Sequence, residues 1–151
     1  MTGQGVHLRR TYDETMLLLV EARNYATYRH ATERETYPSD ILLKTACESL
    51  RVTARLLQVM AWVLAWTAVD AGELTAAQAT ALFALPVDGA CAELSGQDDD
   101  ALPRGLRNLL DRSLGLYHRV SRLDEQLRRI HPADHSDAAS PADRSSIDEW
   151  T

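Results

Sequence analysis

A chain of 151 residues has room for one domain with a sizeable core. Hydrophobic residues at 45% and charged residues at 25% suit a globular protein, and 6% aromatics with no alternating Val/Ile/Thr run leave no strand signal. The net charge of −6 is concentrated at the end, where residues 131–151 hold Asp134, Asp137, Asp143, Asp148 and Glu149 against Arg144; the rest is close to neutral and lacks the basic excess that nonspecific nucleic-acid binding needs.

Residues 1–10 contain Gly3 and Gly5, no apolar periodicity and no apolar run of the signal-peptide kind, which predicts a flexible N-terminal segment. Thr11-Tyr-Asp-Glu14 fits a capping box, and Tyr12, Met16, Leu19, Val20, Arg23 and Ala26 follow at helical spacing. A first long helix is expected from Tyr12 to about Arg34, before Pro38. Ser39 or Asp40 then caps a second long helix, Ile41–Ala71, free of Gly and Pro.

This second helix carries two adjacent apolar stripes. Ala46, Leu50, Thr53, Leu57, Met60, Leu64 and Ala71 keep a 4-3 repeat that reads as a bundle seam. Beside it run Ser49, Val52, Leu56, Val59, Val63 and Trp66. From Leu56 to Val69 only Gln58 and Thr67 are polar, so the helix must be covered all round. That run is shorter than the roughly 20 residues a membrane span needs, and it reads as buried core.

Gly72 ends the helix, and Thr75-Ala-Ala-Gln78 is a second capping box opening a short Ala-rich helix over about 76–84. Residues 86–102 read as a loop, with Asp98, Asp99 and Asp100 ahead of Pro103 at a helix start. The third long helix runs to Ile130. Its apolar face is Leu106, Leu109, Leu110, Leu116, Val120, Leu123, Leu127 and Ile130, and Arg112, Arg119, Arg122 and Arg129 occupy the other. Beyond Pro132 the composition predicts disorder, with Ile147 and Trp150 the exceptions.

The expected architecture is therefore all-α: residues 1–10 flexible, a three-helix bundle with one short extra helix over 11–130, and a disordered acidic tail over 131–151. Two other long helices cover about half of the second, so a second copy is expected to cover the rest. Val59, Trp62, Val63 and Trp66 are the candidate homodimer interface, tryptophans being common interface anchors.

Chemistry-bearing candidates are few. Glu48, Arg51 and Arg55 share one face of the second helix, with Gln58 a turn further on. They suit an ion-pair stripe at the core's edge or a partner-docking surface; an acid and two arginines also suit the carboxylate site of a small helical mutase. The arginines of the third helix suit a solvated face, a protein contact or phosphate, the last implying a transcription-associated dimer. Cys47 and Cys91 read as buried thiols of a reducing cytoplasm. His131 and His135 have metal-ligand spacing, which Pro132 breaks. With no phosphate loop, GxSxG or HExxH present, the reading is a non-enzymatic protein without metal or cofactor. Ile147 and Trp150 suit a short docking motif as well as an unselected end.

The stretches Arg10-Thr-Tyr-Asp-Glu-Thr-Met16, Glu21-Ala-Arg-Asn-Tyr25, Glu48-Ser-Leu-Arg-Val-Thr-Ala-Arg-Leu-Leu-Gln58, Ala61-Trp62 and Ala71-Gly-Glu-Leu-Thr75 carry a resemblance. Over about residues 10–85 the chain resembles the alphaproteobacterial regulator of CtrA degradation (RcdA) family. Residues 86–102 and the Ile-Asp-Glu-Trp-Thr ending do not match it. The resemblance implies a dimeric three-helix bundle with a disordered tail. It also implies an adaptor that delivers the response regulator CtrA and other cargo to the ClpXP protease, with the response regulator CpdR and the effector PopA. On that basis Glu48, Arg51 and Arg55 belong to a signature surface, and the tail is a contact for protease or cargo.

Overall fold

The computed structural model describes residues 2–33, 35–86, 89, 91–93 and 96–132. Among them every regular element is helical: α1 (Thr2–Asn24), a π-helical turn (Tyr25–Arg29), α2 (His30–Glu33), α3 (Ser39–Asp70), α4 (Ala76–Phe83), a 3-10 turn (Gly96–Asp98) and α5 (Arg104–Ile130). The all-α bundle expected from periodicity is what the chain forms. The tail residues 133–151, with Ile147, Trp150 and His135, lie outside the described residues.

The N-terminal boundary differs from the expected one. The first helix begins at Thr2, so Thr11 is no cap; its hydroxyl donates to the His7 carbonyl at 2.9 Å within the helix. Leu8, buried against the core, gives the extra turns an apolar anchor. The inward face of α1 is also rotated from the predicted one: Leu8, Thr15, Leu18 and Tyr25 are buried, whereas Tyr12, Met16 and Val20 are exposed.

At α3 the expected cap, Ser39 or Asp40, is displaced by one residue or two, while Gly72 and the second capping box act as expected. Pro38 is the N-cap residue of α3 and makes no side-chain cap bond; Ser39 and Asp40 are already helical. Gly72, at φ +76°, takes the left-handed conformation that ends α3. The Thr75–Gln78 capping box is complete, with Gln78 N donating to Thr75 Oγ1 at 3.1 Å and Thr75 N donating to Gln78 Oε1 at 3.0 Å.

Topology follows from which residues meet. Glu14 pairs with Arg119 and Glu21 with Arg112, so α1 and α5 are antiparallel. Trp62 meets Asp124, while Arg55 reaches the Leu110 carbonyl a turn and more nearer the start of each helix, so α3 and α5 are parallel. Parallel neighbours need a connection that travels back along the bundle. Residues 71–103 are that connection, and its described residues from Pro86 on (86, 89, 91–93 and 96–102) form a strap fastened to α3 and α5. By length and composition α3 is long and apolar enough to cross a membrane. In this fold it is the hub, contacting α1, α4 and α5.

The core is built on the second of the two stripes of α3. Val52, Leu56, Val59, Val63 and Trp66 are buried, joined by Leu18, Leu106, Leu110, Leu116 and Tyr117. Among the buried polar groups, Asp124 is a carboxylate with no exposure at all. Asp124 accepts from Trp62 Nε1 at 2.8 Å and from the Leu85 amide at 3.0 Å, and Arg128 Nε lies 3.1 Å away. Replacing Asp124 with Ala strands two buried donors and a partly buried cation. The expected loss is about 3–5 kcal/mol, read as a lowered urea midpoint. Asp124→Asn, which keeps one acceptor, is expected to lose less, and equal midpoints for all three proteins would overturn this account.

Candidate interaction surfaces

The polar stripe of α3 faces the strap. Arg55 is fully buried, and its guanidinium is consumed by main-chain carbonyls: Nε donates to Cys91 O at 2.7 Å, Nη2 to Glu93 O at 2.6 Å and Nη1 to Leu110 O at 3.2 Å. Burial, and then the neighbouring Arg51, hold its pKa below the ordinary arginine value. Arg51 Nε donates to Glu48 Oε2 at 3.1 Å, and Glu48 is itself buried. A turn earlier Lys44 pairs with Asp99, a bond that raises the lysine pKa and, with the Ala101 amide, lowers that of the aspartate.

Other side chains continue the fastening. Tyr117 Oη donates to Pro86 O at 2.7 Å, and burial pushes its phenol up to about 12. His118 Nε2 donates to Ala92 O at 2.7 Å. Gly96 is pressed onto Leu102 so closely that a Cβ there would sit 2.2 Å from Leu102 Cδ1. From this stripe Lys44 and Arg55 secure the return strap, while Glu48 and Arg51 pair with each other between them.

This changes the expectation for Arg55. As a partner-binding residue it had to be on the surface; buried, with its donors spent on three carbonyls, it offers nothing to a partner. Glu48 is buried too, and Arg51 is half-buried beside it. A mutase-like carboxylate site needs two cations converging on an open cavity, whereas Arg55 points into the protein and Arg51 pairs with Glu48.

The expected dimer residues require a second correction. Trp62 and Trp66 are 2% and 1% exposed, and Val59 and Val63 are fully buried, all within one protomer. The two indoles lie against each other at 6.2 Å, and Trp62 is tied to Asp124. The largest side chains of α3 fill the space where α1 and α5 meet it, so they cannot also face a second copy.

The other stripe of α3 is uncovered. Leu43, Leu50, Leu57 and Leu64 stand seven residues apart and are 68%, 70%, 56% and 53% exposed. Between them lie Cys47, Thr53 and Ala61, also exposed, and Ala46 and Met60, half-buried. Cys47 is therefore an exposed thiol, because it sits on this outer ladder between Leu43 and Leu50. The ladder adjoins α1, where Tyr12 lines one hollow with Leu64. The 4-3 repeat signalled this surface in the sequence, where it read as an internal seam.

A third surface lies between α1 and α5. Arg112 forks onto Glu21 at 2.5 and 3.1 Å, and Arg119 donates to Glu14 at 2.5 Å. Arg129 pairs with Glu125, and Arg128 lies beside Asp124. These pairs neutralise much of the basic face on which a nucleic-acid reading relied. Towards the C-terminal end of α5 lies a hollow of about 340 Å³ lined by Trp62 of α3, Leu8 of α1 and Leu123, Leu127 and Ile130 of α5.

Comparison with known proteins agrees with this architecture. A family described as a protein of unknown function (DUF1465) matches residues 4–147. The crystal structure of RcdA from Caulobacter crescentus CB15 is similar at 35% identity and a TM-score of 0.64, over 80% of this chain and 89% of that one. A search of curated proteins gave no match.

Proposed function

We propose, from the premise that this chain belongs to the DUF1465 family and is a relative of the regulator RcdA, that it is a non-enzymatic adaptor delivering cargo to the ClpXP protease. The observation that carries the reading is how the polar and apolar side chains are distributed. The polar stripe residues of α3 are spent on the strap (Lys44, Arg55) or on each other (Glu48, Arg51), while the exterior presents an uncovered apolar ladder and an apolar hollow. Such a molecule acts by contact. Its mechanism is to raise the effective concentration of cargo near the protease in the cytoplasm.

In this reading the cargo is a CtrA-like response regulator, and CpdR-like and PopA-like proteins complete the assembly. The leucine ladder of α3 is the homodimer face, in place of the buried tryptophans. Ile147 and Trp150, in the tail, contact protease or cargo.

The test is reconstituted degradation. Purified ClpXP and a CtrA-like substrate, with CpdR-like and PopA-like partners, are expected to consume the substrate several-fold faster when this protein is added. A Trp150→Ala variant is expected to lose that stimulation. No acceleration in any combination of partners overturns the adaptor reading, and full stimulation by the variant removes Trp150 from it.

A further inference from the structure

The hollow lined by α1 and α5 is mainly apolar, with Leu8, Trp62, Leu123, Leu127 and Ile130 around it. It is continuous with a second, shallower hollow on the same face: both are lined by His7, Thr11, Leu123 and Gln126. The second adds Arg10, Arg119 and Arg122 against Asp13 and Glu14. Glu14 is taken by Arg119, which leaves Arg10 and Arg122 facing the single remaining acid, Asp13. The combined groove therefore suits a short segment with apolar side chains at one end and negative charge at the other. At about 340 Å³ the apolar part falls in the range of about 300–1,000 Å³ typical of binding pockets.

The chain itself supplies such a segment and delivers it to this place. Ile130, the last residue of α5, is 67% exposed and forms part of the hollow's wall. His131 then packs against Trp66, with ring centroids 6.2 Å apart, one helical turn from Trp62 in the hollow's lining. From there residues 133–151 continue, and their only large apolar side chains are Ile147 and Trp150, flanking Asp148 and Glu149. Ile147 and Trp150 stand at i and i+3, the spacing that would put both on one side of a helical turn.

We propose that the groove between α1 and α5 is the docking site of the chain's own C-terminal segment, Ile147–Trp150. Trp150 and Ile147 enter between Leu8, Trp62, Leu123 and Ile130, and Asp148 and Glu149 meet Arg10 and Arg122. Reach is ample. The 14 residues 133–146 span at most about 50 Å, with a root-mean-square extent of about 20 Å if flexible. A tether of this length gives an effective concentration on the order of 1 mM. A contact with an intrinsic Kd of about 100 µM is then about tenfold more occupied than open. The docked state withholds Ile147 and Trp150 from any other partner, so exposure of the tail is set by competition for the groove. The inference does not rest on the adaptor reading, because its test measures binding alone.

The experiment titrates a fluorescein-labelled peptide of residues 143–151 with the full-length protein and with the full-length Trp150→Ala variant. The variant, whose own tail no longer fills the groove, is expected to bind the peptide about tenfold more tightly than the wild type. Adding Leu123→Glu, at a half-exposed wall position, is expected to abolish that binding while circular dichroism stays unchanged. Arg122→Glu, a fully surface change, is expected to weaken it several-fold. Equal affinity of wild type and Trp150→Ala overturns the proposal, as does no binding to the variant at about 1 mM peptide. A wild-type block that grows with protein concentration assigns the groove to a neighbour's tail and overturns the intramolecular contact.

Discussion

Replacing Arg55 with Ala is expected to cost about 3–5 kcal/mol of folding stability, the loss typical of removing one partner from a buried charged network. The argument is local. Three carbonyls, of Cys91 and Glu93 in the strap and Leu110 in α5, share one guanidinium. An alanine takes the shared donor from the strap carbonyls of Cys91 and Glu93, leaves the Leu110 carbonyl with the Ser113 hydroxyl as its side-chain donor, and opens a void in the core beside Val52 and Val59. Since a domain of this size has about 5–15 kcal/mol in all, the variant is expected to be largely destabilised, with the strap the first element to loosen. Arg55→Lys keeps the charge, but a single ammonium does not reproduce the planar fork that reaches three oxygens, so it is expected to recover only part of the loss. Urea unfolding followed by tryptophan fluorescence reads the stability, and limited proteolysis within residues 86–102 reads the strap. An unchanged midpoint, with some partner interaction lost instead, would return Arg55 to the surface role that its sequence context suggested.

That misreading shows where a sequence is legible and where it is not. Most helix ends were legible because they rest on local chemistry: Pro38, Gly72, the Thr75–Gln78 box and Pro132 each act on their own few residues, whereas the Thr11 box did not mark the start of α1, which begins at Thr2. Which stripe of α3 faces inward was not, because both stripes are apolar and helically spaced, and the choice depends on where α1 and α5 lie. The parallel relation of α3 and α5 is a property of the strap, whose sequence has no periodicity to read. Arg55 carried a partial signal: three residues after Val52 and four before Val59, it belongs to the buried side of the helix by spacing alone. The groove between α1 and α5 had none, because its lining residues Leu8 and Leu123 look like ordinary core positions and only the packing of three helices leaves a hollow between them.

The leucine ladder gives the second large effect. A full-length protein with Leu50→Glu and Leu57→Glu is expected to be monomeric at concentrations where the wild type is a dimer, and to keep its helix content. Within the protomer both leucines are more than half exposed, so each change is expected to cost within about 0.5 kcal/mol of stability. Across a symmetric interface each substitution occurs twice, so four leucines are lost and four carboxylates are placed in apolar contact. At about 1.5–3 kcal/mol per buried leucine, association weakens by well over a thousandfold. The exact heptad spacing of Leu43, Leu50, Leu57 and Leu64 is what a helix needs to keep one line of contact with a partner helix, whereas the protomer's core follows the neighbouring stripe. Trp66→Glu provides the contrast: being internal, it is expected to unfold the protomer and so to lower the melting temperature, which the ladder variant leaves nearly unchanged. Sedimentation velocity from about 1 to about 100 µM separates the outcomes. A ladder variant that keeps the dimer mass, or a wild type that stays monomeric throughout, removes α3's outer face from any self-association and leaves it to a different partner.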